Sequence, residues 1–318
     1  MITSPPSSYG IETIDADTKY QLYADLLKRP LYTRKSDIYG CCIKLLTDNP
    51  FFADIWSNNF YTANENTRSH GRLISVEDPS QPMHMKYDPL TKTAFLFNFD
   101  YYGWVKSVAL AVAGDILEDA HDIYSVHGAV LDVGGSGVAL IAPSGTGKTT
   151  HSWGMLRNPS VRLVADDWFF VRVYENSALA YGSEKNGYVD EDLGKIWGEY
   201  RDALKGALFD KRGRAVINIR WVVSTDRVIP LTTMKKVVLM KRDRTDPEII
   251  REIGKDEALD LLVRNRFYNP HQLVEDRRKT ALRTQFFRSL LDKTRTYVAN
   301  TAQAPETVQD RIYRAVAL

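Results

Sequence analysis

The stretch Val138-Ala-Leu-Ile-Ala-Pro-Ser-Gly-Thr-Gly-Lys-Thr-Thr150 decides how the rest of the chain is read. Val138 to Ala142 is a continuous apolar run, the mark of a buried strand. Gly145 and Gly147 then allow a backbone curl in which successive N–H groups face inward. A helix is predicted to open near Lys148 and run to about Leu156. Strand, glycine turn, Lys-Thr and helix in that order make a nest for phosphate, extended by the helix N-terminus. Ser144, Gly145, Thr146, Gly147, Lys148, Thr149 and Thr150 are the residues expected to meet nucleotide phosphates. Lys148 supplies a point charge for the β- and γ-phosphates, and the Thr149 hydroxyl a ligand for bridging magnesium. The general pattern opens on glycine, whereas this chain has Ala142 there. The change adds one methyl group, which is expected to be accommodated.

The neighbouring segments extend the site. His127 to Val133 reads as a strand, Gly134 to Gly137 as a turn, and Val161 to Ala165 as a further strand closed by Asp166 and Asp167. In a sheet of this kind that strand delivers acidic groups beside the phosphate loop. Side chains alternate along a regular strand, so both carboxylates enter the site only if the strand ends at Asp166. One carboxylate is expected to hold magnesium and the other to accept a proton from an attacking hydroxyl. His127 is placed to orient an aspartate or assist proton transfer. Glu184, in Tyr181-Gly-Ser-Glu-Lys-Asn-Gly-Tyr188, is a candidate for the metal shell. Arg212, Arg214 and Arg220 are candidates for a positive clamp on the phosphoryl group, with Arg264, Arg266 and His271 behind them. His151 reads equally as a nucleotide neighbour or as packing.

These pieces, in this order, resemble the HPr kinase/phosphorylase family and its PEP-carboxykinase-like relatives. His127-Gly-Ala-Val-Leu131 resembles the family's histidine-bearing strand, and Leu163-Val-Ala-Asp-Asp167 its aspartate pair. Ser144 to Thr150 is close to the loop of PEP carboxykinases, and Glu184 before Asn186-Gly-Tyr188 resembles the acidic metal-binding position. The resemblance covers about 120–190 well and 190–240 faintly. It implies that Asp166 is the base with His127 bonded to it, while Thr149, Asp167 and Glu184 serve magnesium. The Arg-Gly-(Leu/Ile)-Gly segment of true HPr kinases is absent after Glu184, and the chain is too short for a complete PEP carboxykinase. What the resemblance implies is an ATP- and Mg2+-dependent kinase acting on a hydroxyl of a small molecule or of a protein or peptide serine. A nucleotide-binding regulatory module and a carboxykinase-like lyase are the alternatives. GTP or pyrophosphate as donor stays open.

The expected fold is α/β: a PEP-carboxykinase-like P-loop core with a mixed sheet at 121–318, and a smaller N-terminal α+β region at 1–120. In that region Thr18 to Leu27 reads as helix, Arg72 to Val76 and Thr93 to Phe99 as strands, and 1–13 as a loose lead-in. Trp104 to Ala120 has helical spacing. Farther on, Val216 to Val223 and Thr233 to Met240 resemble strands, while Asp256 to Leu262 and Glu275 to Thr294 look helical. In the last, Arg277, Arg278, Lys279, Arg283 and Arg288 read as a solvated basic face. Forty-two basic against 40 acidic residues leave a net charge of +2, so nothing global draws the chain to nucleic acid or to an anionic membrane. The only cysteines, Cys41 and Cys42, are adjacent, support neither a disulfide scaffold nor a cysteine-rich metal site, and read as small apolar residues on or ending a helix. No signal-peptide pattern opens the sequence and no apolar run reaches membrane-spanning length, so a cytoplasmic location is expected. A homo-oligomer is compatible with the sequence.

Overall fold

The computed structural model describes residues 9–210 and 212–317. Residues 1–8 of the expected lead-in, and Lys211, lie outside the described residues. The chain is a mixed α/β protein with several sheets, divided into two compact units. One spans Met1–His121 and Pro270–Glu275, the other Asp122–Asn269 and Asp276–Leu318. The short excursion at Pro270–Glu275 therefore groups with the N-terminal unit.

The first unit is built on a seven-stranded mixed sheet. Its strands are β1 (Ile11–Thr13), β2 (Tyr32–Ile38), β3 (Cys41–Thr47), β4 (Tyr61–Thr62), β5 (Gly71–Val76), β6 (His84–Asp88) and β7 (Thr93–Phe97), in the order β1-β6-β7-β5-β3-β2-β4. Helices α1 (Ala16–Leu26), α2 (Pro50–Asn59) and α3 (Tyr102–His121) accompany it. Asp15 caps α1 by accepting from the Thr18 N–H, and Asn49 caps α2 by accepting from Phe52. Ile74 and Val76 on β5, and Phe95 and Phe97 on β7, are two apart and share a cluster with Leu22 and Leu26 of α1. Two expectations are corrected here. Ile11–Thr13 is a strand held by parallel pairing with β6, not a loose lead-in. Cys41 and Cys42 lie on β3, buried and unbridged, rather than on a helix. Their pairing with β2 and β5 holds that segment extended whatever its local preference.

The second unit follows the order β8 (Tyr124–Val133), β9 (Ser136–Ile141), α4 (Lys148–Leu156), β10 (Val161–Ala165), β11 (Trp168–Val173), β12 (Ala178–Gly182), β13 (Gly187–Asp190), α5 (Leu193–Ile196), α6 (Arg201–Leu204), β14 (Arg214–Ile217) and α7 (Ile219–Val223). It continues through β15 (Leu231–Lys241), β16 (Ile250–Ile253), α8 (Lys255–Arg264), α9 (Arg277–Leu291), β17 (Arg295–Asn300) and α10 (Pro305–Ala317). Strand β9 lies between β8, antiparallel to it, and β15, parallel to it. Strand β17 runs parallel to β15 on the latter's other side. The carboxyl ends of β9, β15 and β17 therefore share one edge of the sheet. The early half of β8 pairs with β11 and the late half with β10.

Alternation sorts the core into two layers. Leu131, Leu140, Val238 and Ala299 join Trp153 and Leu156 of α4 and Ile312 of α10. Val130, Ala139, Ile141, Val237 and Val298 join Leu262 of α8 and Phe286 and Leu290 of α9. Two further expectations fail. The apolar run from Val216 is strand only to Ile217, because Asn218 accepts from the Arg220 N–H and starts α7. On α9, Lys279 and Arg283 are buried, so its basic residues do not form one solvated face. Among the described residues no helix is long and apolar enough to cross a membrane.

Candidate active site

Beyond Ile141 the chain curls from Ala142 through Gly147 into α4. Gly147 is the N-cap, at φ 97° and ψ 20°, and Gly145 has φ 77°. These are left-handed conformations that a side chain resists, which is why glycine stands at both positions. Ala142 packs in the core and is absent from the non-glycine residues with positive φ, so its methyl group sits without backbone strain. Gly147 has no side chain with which to cap α4. The amides of its first turn are thus left for an anion to satisfy. The loop is also tethered from behind: the Thr301 hydroxyl donates to the Thr146 carbonyl at 2.6 Å, and the Trp197 indole N–H to the Thr150 carbonyl at 2.7 Å.

Lys148 reaches across β9 toward the β8 side. Its Nζ lies 2.6 Å from Asp167 Oδ1 and 2.9 Å from His127 Nε2, and is almost wholly buried. His127 Nε2 is 3.5 Å from the same Asp167 oxygen. The other ring nitrogen, Nδ1, is 2.9 Å from the Tyr268 carbonyl. A carbonyl only accepts, so Nδ1 carries the proton and Nε2 accepts from Lys148. Burial, followed by the Lys148 charge, holds the imidazole below its ordinary pKa, against Asp167 and Tyr268, which raise it.

Tyr268 is held in turn by an unusual backbone. Arg266, Phe267 and Tyr268 have φ of 50°, 56° and 54°. Each left-handed non-glycine residue costs about 1–2 kcal/mol. The Phe267 ring, stacked on Phe287 of α9 at 5.4 Å and 6°, anchors the turn.

The aspartate pair occupies the bend between β10 and β11. Strand β10 stops at Ala165, which frees both side chains from alternation. Asp167 faces Lys148, and its backbone carbonyl accepts from the Gly128 N–H at 2.8 Å. Asp166 faces α4, where Ser152 Oγ donates to its Oδ1 at 2.9 Å. Its Oδ2 is buried and lacks a hydrogen bond of good geometry among the described residues, as does the Trp153 indole N–H. Burial pushes the Asp166 carboxyl above its usual range, opposed first by Trp153 and Ser152. The histidine expected beside Asp166 is therefore beside Asp167.

Asp166, Asp167, Ser183, Glu184, Lys185 and Asn186 all line one small cavity. The carboxylate oxygens of Asp166, Asp167 and Glu184 are nonetheless not gathered within 4.8 Å of one another. Arg220 donates to the Lys185 carbonyl at 2.7 Å and so braces this loop, whereas Arg214 stands 3.8 Å from Asp190 and the Arg212 amide bonds Asp210. His151 is buried against Gln309 at 3.1 Å, and burial pulls its pKa down to about 4, which fits packing. Arg264 pairs with Asp260, and His271 bonds the Tyr9 hydroxyl at 2.7 Å within the first unit. Ser152, the Tyr268 carbonyl and Arg242 belong to the neighbourhood of the loop without having been singled out in the sequence. Ser152 was the most accessible of the three, one helical turn beyond Lys148.

No protein-family model matches the chain, and no curated protein matches its sequence. Among solved structures, it is similar to the Hpr(Ser) kinase/phosphatase from Coxiella burnetii at 15% sequence identity, over 41% of this chain and 76% of that chain, with a TM-score of 0.29. A likeness of that size carries no functional argument.

Proposed function

We propose that the second unit is an ATP-dependent phosphotransferase that moves the γ-phosphoryl group to a hydroxyl, on a small molecule or on a serine of a protein or peptide. The observation that carries this reading is the contact of the Lys148 ammonium with Asp167 at 2.6 Å and His127 at 2.9 Å, beside an uncapped, glycine-turned helix start. A regulatory module without activity would be favoured by an aspartate pair turned away from the loop, but Asp167 faces it.

The donor's phosphates would lie along the amide nest of Ser144 to Thr150, with Lys148 released from Asp167 toward them. An acceptor oxygen in line with the departing diphosphate forms the new P–O bond as the bond to ADP breaks and its electron pair leaves with ADP. The acceptor's proton passes to the carboxylate of Asp167, and the unprotonated Nε2 of His127, 3.5 Å away, is placed to accept a hydrogen bond from the carboxyl so formed. Catalysis in this arrangement comes mainly from position and charge.

Magnesium fits the donor set. The oxygens are hard ligands, Asp166 Oδ2 is buried without a hydrogen bond of good geometry among the described residues, and Glu184 lines the same cavity. Magnesium needs only one or two carboxylates, since phosphates and water complete its shell, so a preassembled cage is not required. Asp166, Glu184 and the Thr149 hydroxyl would hold it. When bound, it neutralises charge between the β- and γ-phosphates. This exchanges the roles that the family resemblance gives the two aspartates.

The test is a panel of hydroxyl acceptors, small molecules and serine peptides, with labelled ATP and Mg2+. The Asp167→Asn protein should transfer at least about 100-fold more slowly than the parent. Equal rates in parent and variant would remove Asp167 from the chemistry.

A further inference from the structure

We propose that Arg242 is the second cationic contact of the donor nucleotide. It would hold the phosphates that remain on the departing diphosphate, on the flank of the loop opposite Lys148. The proposal rests on the reading of the loop as a nucleotide site and adds to it a residue that lies far from the motif in sequence.

Topology brings Arg242 there. Strand β15 is the parallel neighbour of β9, with Leu239 in register with Ile141. The chain therefore leaves β15 at Lys241 beside the point where the phosphate loop leaves β9. In such sheets ligands bind off the carboxyl ends of parallel strands. A methyl group placed on Gly147 would sit 3.5 Å from Arg242 Nη2 and 3.4 Å from His151 Cδ2, so the guanidinium stands directly over the loop. Arg242 Nε points at the Thr301 hydroxyl at 3.4 Å, and that hydroxyl donates to Thr146 in the loop itself. The guanidinium is exposed, and no carboxylate pairs with it among the described residues.

Sidedness assigns the role. Strand β9 separates β8 from β15. Lys148 extends to the β8 side, where His127 and Asp167 receive it. Arg242 arrives from the β15 side. A phosphate chain lying in the nest therefore has its reacting end toward Lys148 and its retained phosphates toward Arg242. A guanidinium fork matches paired phosphate oxygens better than an ammonium does.

The experiment uses the full chain and calorimetric titration with MgADP and with magnesium pyrophosphate, alongside steady-state transfer from ATP. Arg242→Gln should weaken both ligands, and raise the KM for ATP, by about tenfold or more, with kcat within about threefold. Arg242→Lys should recover part of the loss. Melting curves of the variants should match the parent, as Arg242 is exposed. Unchanged MgADP affinity in Arg242→Gln overturns the proposal. So does a fall in kcat with affinity intact, which would place the arginine on the transferred phosphoryl. Loss of MgADP affinity with pyrophosphate affinity retained would place it on the nucleoside, also against the proposal. If the parent itself binds neither ligand, the nucleotide site fails before any variant is compared.

Discussion

Asp166 and Asp167 are chain neighbours in unlike surroundings. One is buried against Ser152, the other meets a lysine and a histidine. The sequence announces the pair, because two carboxylates after an apolar strand are legible from spacing alone. It does not say which aspartate meets His127, since that depends on the bend between β10 and β11. Arg242 was illegible for a related reason: its nearness to Gly147 comes from strand order, which no local pattern encodes. The loop glycines were legible because glycine adopts positive φ values without the cost a side chain incurs. The paired thiols offer a separate check at this scale. Burial, assisted by Asp37, pushes Cys41 up to about 11, and burial raises Cys42 as well. The folded thiols stay protonated at pH 8, so alkylation should run at least about 100-fold slower in native buffer than in denaturant, and should accelerate as pH rises toward 11. Equal rates in the two conditions would show that β3 does not bury them.

At the scale of elements, long periodic segments were readable and short ones were not. The loop strand, α4, β10 and α3 follow from apolar spacing. Strands β11 and β12 are among the short ones, and the apolar run through α7 reads as strand because the Asn218 cap that starts the helix leaves no mark in its periodicity. The turn at Arg266 to Tyr268 had no sequence signature at all, because none of its residues is glycine; the packing of Phe267 and the bonds from the Tyr268 N–H to Asn265 and from the Asn269 N–H to Arg266 hold it. It nonetheless fixes the carbonyl that sets the His127 tautomer. Arg266→Gly should leave thermal stability equal or higher, by up to about 1 kcal/mol, since glycine accepts a positive φ. Arg266→Pro, with φ fixed near −65°, should lose about 3 kcal/mol and slow transfer as the Tyr268 carbonyl leaves His127. A proline variant that melts and turns over like the parent would show that the turn does not position the histidine.

At the scale of the whole molecule, the two compact units part at His121 and Asp122, and the sequence changes there from short, turn-broken strands to the regular pattern around the loop. The grouping of Pro270–Glu275 with the first unit leaves no such mark, because a short excursion changes neither composition nor period. What the described units have in common is a mixed sheet, and in the second the sheet brings three parallel strand ends to the edge where the glycine loop leaves β9. The central claim is that this edge binds a polyphosphate through backbone amides and Lys148. Calorimetric titration of MgADP into the parent and into Lys148→Ala tests it most directly. The account predicts saturable one-to-one binding by the parent and at least about a tenfold loss, roughly 1.4 kcal/mol, in the variant. Absence of binding to the parent, or equal affinity in the two proteins, would contradict it.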